Sequence, residues 1–317
     1  MHYGIRYYRK IKMAFDRERK LPDFLGIGAQ RSGSTWLYAN LKQHPEIWMS
    51  PIKEVNFWGN NKHWKRKWKI YRTHAARRMA NYFLSSKVYS PAYRNLFWDY
   101  HYFFKKRDLS WYRGIFRPKA GQLTGEITPG YSEISEQVVQ KIYAANPAMR
   151  IIYFMRDPTE RVWSSVVKNL ARDKRKRIEV IPQDVLRKKL VSKSTQDRGN
   201  YIRALNVWGS IFPPEQIHID FMDEIRESPR EVLLRVYRFL GVDDNEKHVP
   251  ADVAEKKNST DGYKIPIPAE MELLLAETYL PELKMLNQRF GGHTTTWLHR
   301  AQSILYQAEA SQENDYL

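Results

Sequence analysis

The stretch from Asp23 to Leu41, DFLGIGAQRSGSTWLYANL, constrains the fold of this chain more than any other. A short apolar run comes first, a loop with Gly28 and Gly33 five positions apart follows, and a helical pattern completes it. A glycine-containing loop between a strand and a helix directs backbone N–H groups and the helix N-terminus at an anion. The stretch therefore predicts an α/β unit with a phosphate-binding loop.

The loop departs at one position from the pattern G-x-x-x-x-G-K-[ST] of P-loop nucleoside triphosphatases. Ser34 stands where that pattern has the lysine that reaches the β- and γ-phosphates, and Arg31 lies inside the loop instead. The segment IIYFMRD also places Arg156 where a Mg²⁺-binding aspartate would directly follow the apolar run. These differences disfavour ATP hydrolysis and leave a different phosphate donor open.

The rest of the chain alternates strand-like and helical patterns. Four short runs are typical of buried strands: 23–28, 121–126, 150–155 and 216–221. Helical patterns follow in YSEISEQVVQKIYAAN, in SPREVLLRVYRFLG and in DPTERVWSSVVKNL, where Asp157 is the expected cap and Glu160 the third residue after it. The alternation predicts an α/β fold with a central, mostly parallel sheet flanked by helices, and ligands of such folds bind at the carboxyl ends of the strands.

The net charge of +18, with an isoelectric point near 9.8, implies an anionic partner: nucleic acid, a membrane surface, or an acidic substrate or donor. Residues 61–108 hold thirteen Lys and Arg, two Asp, no Glu and thirteen aromatic residues, so they carry +11 of the +18. So many aromatic residues favour a packed subdomain or a binding surface over a solvated basic face. We expect a basic-aromatic helical insertion at about 61–108.

The absence of cysteine excludes disulfides, Cys-ligated zinc, iron–sulfur clusters and a thiol nucleophile. The first twenty residues contain no apolar signal-peptide core, and no run approaches the roughly 20 apolar residues of a membrane span. Two interpretations of this segment stay open: a frayed basic arm, or a membrane-surface helix carrying Tyr3, Ile5, Tyr8 and Ile11. We expect a cytoplasmic protein, with peripheral membrane contact through the basic segments as an additional hypothesis.

A second motif, YFMRDPTERVWSSV, places Arg156 at a strand end and Ser164 eight residues later in the next helix. An arginine beside a helix start, with a hydroxyl one or two turns in, suits a second phosphate. Two phosphate sites on one sheet fit a nucleotide that is phosphorylated at both ends. Together with GAQRSGSTWLY, the motif resembles the family of sulfotransferases that use 3′-phosphoadenosine 5′-phosphosulfate (PAPS).

Further segments share this resemblance: TGEITPGYS, the run from Gly199 to Val242, and YLPELKMLNQRFGGHTTTW. The resemblance covers about residues 22–58 and 109–298, and it is closer to the glycan-modifying and bacterial enzymes than to the cytosolic phenol and steroid enzymes. It implies the P-loop nucleotide-kinase-like sulfotransferase fold. We expect a basic arm at 1–21, one domain at 22–298 with the insertion inside it, and a tail at 299–317.

The resemblance also implies roles on the donor side. Arg31 matches the cation that holds the 5′-phosphate and stabilises charge on the leaving phosphate, and Arg156 and Ser164 match the ligands of the 3′-phosphate. The matched cradle residues are Ser32, Gly33, Ser34 and Thr35. Trp36 matches a residue that packs on adenine, with a core tryptophan as the alternative, and Tyr201 matches an adenine-side residue. Lys256 and Lys257 either close over the donor or form a solvated charge pair.

On the acceptor side, SPIKEVNFWGN resembles the Lys-Glu-x-x-Phe-Phe segment of the glycan-modifying enzymes. Glu54 is therefore the candidate base, with a surface glutamate paired to Lys53 as the alternative. The resemblance places Glu126 and Thr128 near the acceptor, and we interpret His44 as structural because it precedes a proline after a helix.

The expected reaction needs no metal, yields adenosine 3′,5′-bisphosphate (PAP) and takes a hydroxyl acceptor on a glycan or glycolipid. Two alternative functions stay open. One is a nucleic-acid-binding protein, which HWKRKWKIYR suggests, although no RRM, KH or zinc-finger signature accompanies it. The other is a P-loop kinase that uses ATP.

Overall fold

The computed structural model describes residues 20–59, 93–172, 181–255 and 265–314, and a five-stranded parallel sheet lies at its centre. The strands are β1 (Phe24–Gly28), β2 (Ile47–Met49), β3 (Leu123–Ile127), β4 (Arg150–Met155) and β5 (Ile217–Phe221). Their spatial order is β2-β3-β1-β4-β5, and every neighbouring pair is parallel. The predicted α/β fold is confirmed, and each of the four predicted runs overlaps one strand, with β3 extending one residue beyond its predicted run.

Helices connect and flank the strands. In chain order they are α1 (Ser34–Leu41), α2 (Tyr93–Phe104), α3 (Leu109–Ile115), α4 (Glu136–Ala145), α5 (Pro158–Arg172), α6 (Gln183–Leu190), α7 (Lys193–Gly199), α8 (Tyr201–Gly209), α9 (Met222–Glu227), α10 (Pro229–Leu240), α11 (Ala269–Phe290) and α12 (His293–Asn314). Short 3₁₀ turns occur at Pro129–Glu133, Pro214–Gln216 and Glu246–His248. None of these described helices combines the length and the apolar character that a membrane crossing requires.

The two faces of the sheet pack into separate apolar clusters, because successive residues of a strand point to opposite faces. Along β1, Leu25 and Ile27 join a cluster that includes residues of α5, α8, α11 and α12. Phe24 joins the other cluster, which is built mainly on α1 and α10. Both faces of β1 are therefore covered, as expected for a parallel sheet, and its carboxyl end is positioned rigidly.

A third apolar cluster forms on α2 and α3. Its large aromatic members Trp98, Tyr102, Trp111 and Tyr112 are buried, and Val55 packs against them. The part of the basic-aromatic insertion that the structure describes is therefore helical and packed, whereas residues 60–92 lie outside the described residues. The segment at 54–58 packs against this cluster.

The C-terminal helices α11 and α12 are joined at Gly291 and Gly292 and pack against each other. The expected domain boundary at residue 298 falls inside α12. Beyond it, Ala301 is buried and Arg300 is hydrogen-bonded to the body of the domain. Residues 299–314 thus continue a packed helix.

Candidate active site

The loop from Ala29 to Gly33 joins β1 to α1 at the carboxyl edge of the sheet. Gly33 is the N-cap of α1 with φ of 86°, and a Cβ there would lie 2.5 Å from the Cδ1 atom of Ile225. The backbone angle favours glycine, and a larger residue would have to displace the side chain of Ile225. Since no side chain caps α1, its first backbone N–H groups are left for another acceptor, which is the usual arrangement for binding an anion.

Two further properties of the loop are typical of a binding site. Arg31 has φ of 72°, a left-handed conformation that costs a non-glycine residue about 1 kcal/mol or more. Ser32 is fully buried, and its hydroxyl lies beside the hydroxyl of Tyr201. The loop therefore fits a bound phosphate.

The loop and the second motif form one site. The Nε atom of Arg31 donates a hydrogen bond to Oγ of Ser164 at 2.9 Å. Nη1 of Arg156 donates to the backbone carbonyl of Arg31 at 3.4 Å. The sequence assigned Arg31 to one phosphate and the other two residues to a second phosphate. The structure brings all three together.

Lys53 supplies a cation that the sequence analysis missed. Its Nζ atom donates to Oγ of Ser34 at 3.0 Å and to Oγ1 of Thr35 at 3.1 Å. The segment that follows β2 therefore provides the positive charge that position 34 lacks. A lysine directly before the candidate base was the available signal, but no spacing rule predicts that residues 19 positions apart along the chain meet here.

Glu54 lies beside this cation. Its backbone N–H donates to the carbonyl of Ile127 at 3.2 Å, and its φ is 62°. One carboxylate oxygen lies 3.9 Å from Nζ of Lys53, and 35% of the side chain is exposed. The pairing with Lys53 that the sequence offered as an alternative is present, and it keeps an accessible carboxylate close to the loop.

A buried carboxylate organises the segment that carries Glu54. Glu126 is 1% exposed, and burial raises its pKa, although its hydrogen bonds favour the charged form. Its donors are the backbone N–H of Asn56 at 2.7 Å, the hydroxyls of Thr128 at 2.6 Å and Tyr131 at 2.8 Å, and the hydroxyl of Tyr112. Glu126 and Thr128 thus hold the 54–58 segment against β3, and their contact with an acceptor stays a prediction.

The two residues that are predicted to lie beside adenine, Tyr201 and Trp36, are buried. The hydroxyl of Tyr201 donates to the backbone carbonyl of Arg156 at 2.8 Å and so fixes the chain at the end of β4. Trp36 lies in the core, and its Nε1 donates to the carbonyl of Val253 at 2.6 Å. This bond anchors the segment that leads towards Lys256 and Lys257, both of which lie outside the described residues. The adenine roles of Tyr201 and Trp36 stay predictions.

His44 has a structural environment, in agreement with the sequence analysis. It is 2% exposed and lies against Tyr237. Its Nδ1 accepts from the backbone N–H of Glu46 at 3.2 Å, so Nε2 is the atom that donates to the carbonyl of Asp243 at 2.9 Å. Burial lowers the pKa of His44, which favours the neutral ring.

Glu160, the third residue after the cap of α5, binds three arginine side chains. Asp157 does cap α5, because its side chain accepts the backbone N–H of Thr159 at 2.8 Å. The carboxylate of Glu160 instead accepts hydrogen bonds from Arg156 at 2.8 and 3.0 Å, from Arg226 at 2.8 Å and from Arg300 at 3.3 Å. Burial alone would raise the pKa of Glu160, but Arg156 and Arg226 lower it to about 2.

This low pKa predicts how stability depends on pH. The ordinary pKa of the carboxyl is 4.5, so the fall to about 2 corresponds to about 3 kcal/mol for the ionised group. Because the folded pKa lies below the unfolded one, this stabilisation is complete above about pH 4.5 and is lost as the pH falls towards 2. Denaturant unfolding of the wild type and Glu160→Gln from about pH 7 to about pH 3 should show a difference that shrinks with acidity. A constant difference would contradict the assignment.

A parallel sheet flanked by helices, with a glycine-containing loop after its central strand, is a P-loop-like fold. Within that class, the model of the Sulfotransferase family matches residues 22–246, and the chain belongs to this family. The sulfotransferase from Alicyclobacillus acidocaldarius has the same fold, with a TM-score of 0.61 at 20% identity, over 87% of this chain and 98% of that one.

Two curated relatives modify heparan sulfate according to their names. The mouse heparan sulfate glucosamine 3-O-sulfotransferase 5 is 24% identical over 233 residues, which cover 72% of this chain and 55% of that protein. The human bifunctional heparan sulfate N-deacetylase/N-sulfotransferase 3 is 26% identical over 239 residues, which cover 70% of this chain and 22% of that protein. The chain thus spans about half the length of the first relative and less of the second.

Proposed function

We propose that this protein transfers a sulfuryl group from PAPS to a hydroxyl group of a glycan or glycolipid and releases PAP. The observation that carries the proposal is the hydrogen bond between Arg31 and Ser164, which joins the loop to the second anion-binding motif. Membership of the Sulfotransferase family supports the reaction type. A continuous cationic site with two phosphate-binding ends suits a donor that is phosphorylated at both its 5′ and 3′ positions.

The two ends of the donor would have different partners. The loop backbone, the buried hydroxyl of Ser32, and the side chains of Arg31 and Lys53 would hold the 5′-phosphosulfate. Arg156 and Ser164 would hold the 3′-phosphate. These cations supply the charge that magnesium supplies in nucleotide triphosphatases, so the proposed reaction involves no metal.

Glu54 would accept the proton of the acceptor hydroxyl while its oxygen attacks the sulfur in line. A new oxygen–sulfur bond forms, the bond between sulfur and the 5′-phosphate oxygen breaks, and the electron pair stays on that phosphate oxygen. Arg31 and Lys53 would stabilise the negative charge that develops there. The side chain of Glu54 is more exposed than that of Lys53, which supports a base on the solvent side of the cation.

The acceptor class rests on the relatives, whose names describe transfer to heparan sulfate. The basic-aromatic insertion lies in sequence between Glu54 and β3, and a basic surface there would suit an anionic glycan. The nucleic-acid alternative receives no support from the comparisons. The cytoplasmic location and the peripheral membrane contact stay predictions.

Arg156→Ala tests the donor assignment. The variant should lose most of the preference for PAPS over adenosine 5′-phosphosulfate, which lacks the 3′-phosphate, because one charged partner of that phosphate is gone. We expect the ratio of kcat/KM values for the two donors to fall by about 10- to 100-fold. Arg230→Ala is the matched control, since Arg230 forms an exposed pair with Glu246. An unchanged donor ratio in Arg156→Ala would refute the assignment.

A further inference from the structure

The cluster around Glu160 joins three separate parts of the fold at the proposed 3′-phosphate end. Arg156 follows β4, Arg226 lies in α9, and Arg300 lies in the last helix, α12. All three guanidinium groups donate to the one carboxylate of Glu160. Glu160 lies inside the motif that predicted Arg156 and Ser164, whereas Arg226 and Arg300 lie far from it in sequence.

Glu160 fixes the orientation of the Arg156 guanidinium. Its Oε2 atom accepts from both Nε, at 3.0 Å, and Nη2, at 2.8 Å, so one edge of the planar group is held. The remaining Nη1 atom points to the backbone carbonyl of Arg31 in the loop. A guanidinium held along one edge loses less side-chain entropy when its other side binds an anion.

A carboxylate so close to a phosphate site would repel the phosphate unless its charge is offset. Arg226 and Arg300 pair with the same carboxylate as Arg156, so the charge of Glu160 is shared among three guanidinium groups. Arg300 is itself anchored to Glu272 of α11 at 2.6 Å and lies 3.8 Å from Asp157. Arg226 also lies 3.5 Å from Asp223, so the three arginines are matched by four carboxylates, and the cluster holds Arg156 in one orientation without a net positive charge.

We propose that Glu160 is a positioning residue that sets the preference of the donor site for nucleotides with a 3′-phosphate, and that Arg226 and Arg300 compensate its charge. The inference rests on the proposed function, since it assumes that Arg156 binds the 3′-phosphate. It also makes the C-terminal helix part of donor selection, because Arg300 reaches the cluster from α12.

Calorimetric titration with PAP and with adenosine 5′-monophosphate tests this inference. The wild type should prefer PAP, and Glu160→Gln should reduce that preference about tenfold while its affinity for the monophosphate stays within about twofold. Glu160→Asp should lie in between. Glu270→Gln is the matched control: Glu270 forms an exposed ion pair with Arg187 at 3.3 Å, and its loss should leave the ratio unchanged. A purely structural role for Glu160 would lower both affinities together.

The outcomes separate the inference from the proposed function. If the wild type prefers PAP and Glu160→Gln keeps the full preference, the positioning role is refuted and the proposed donor is not. If the wild type itself shows no preference for PAP, both are refuted. Should Glu160→Gln fail to fold, Arg300→Gln and Arg226→Gln provide the same comparison. Each should lower the preference about threefold, and an unchanged ratio in both would overturn the inference.

Discussion

Replacing Glu54 with glutamine should lower kcat for sulfuryl transfer by about 10³-fold and leave the affinity for PAP within about twofold of the wild type. The amide keeps the size of the side chain but cannot take the acceptor proton. It also leaves the contacts of Arg31, Ser34 and Thr35 in place. Transfer from labelled PAPS to a heparan-type glycan measures kcat, and calorimetry with PAP measures the donor site separately.

Glu136→Gln is the control for this substitution, because Glu136 is an exposed glutamate in the first turn of α4. Its turnover should match that of the wild type. If Glu54→Gln keeps more than about a tenth of the wild-type kcat, Glu54 is not the base. If the variant instead loses PAP binding together with turnover, Glu54 contributes to the donor site through Lys53.

Lys53→Met should lower kcat by about 10²- to 10³-fold and weaken PAP binding by about tenfold. Methionine has a similar length but removes the ammonium group that donates to Ser34 and Thr35. The larger effect is expected on kcat because charge on the 5′-phosphate oxygen increases as the sulfuryl group leaves. Lys53→Arg should recover part of the activity, since it restores the charge with a different geometry.

Lys42→Met provides the comparison at the other end of the same helix. Lys42 is the exposed C-cap residue of α1, and its ammonium group lies 5.8 Å from the ring centroid of Tyr38. Its replacement removes the same charge from the protein without touching the loop, so kcat and PAP affinity should stay unchanged. Equal losses in Lys42→Met and Lys53→Met would show that overall charge, and not the contact with the loop hydroxyls, determines donor binding.

Much of the fold could be predicted from the sequence because its signals are local. The helix predicted at SPREVLLRVYRFLG begins at Pro229 and ends before Gly241, whose φ is 69°. Strand β2 was missed because Ile47–Met49 is only three residues long and follows a proline turn with no extended apolar run. Its place at the edge of the sheet comes from pairing with β3, which is a contact distant in sequence.

The candidate site was predictable only where a motif fixes its own geometry. The loop and the pair Arg156 and Ser164 lie where the predicted strand ends place them. Lys53 and the partners of Glu160 escaped prediction because their contacts depend on how distant elements pack. The same limit applies to Glu126. The fold buries this glutamate, and four groups donate hydrogen bonds to its carboxylate.

The central claim is that one site accepts a nucleotide phosphorylated at both its 5′ and 3′ positions. Calorimetric titration of the wild-type protein with PAP and, separately, with ATP and Mg²⁺ tests it most directly. We expect saturable one-to-one binding of PAP at micromolar concentrations and binding of ATP with Mg²⁺ that is weaker by at least about tenfold. Binding of ATP with Mg²⁺ and no response to PAP would contradict it.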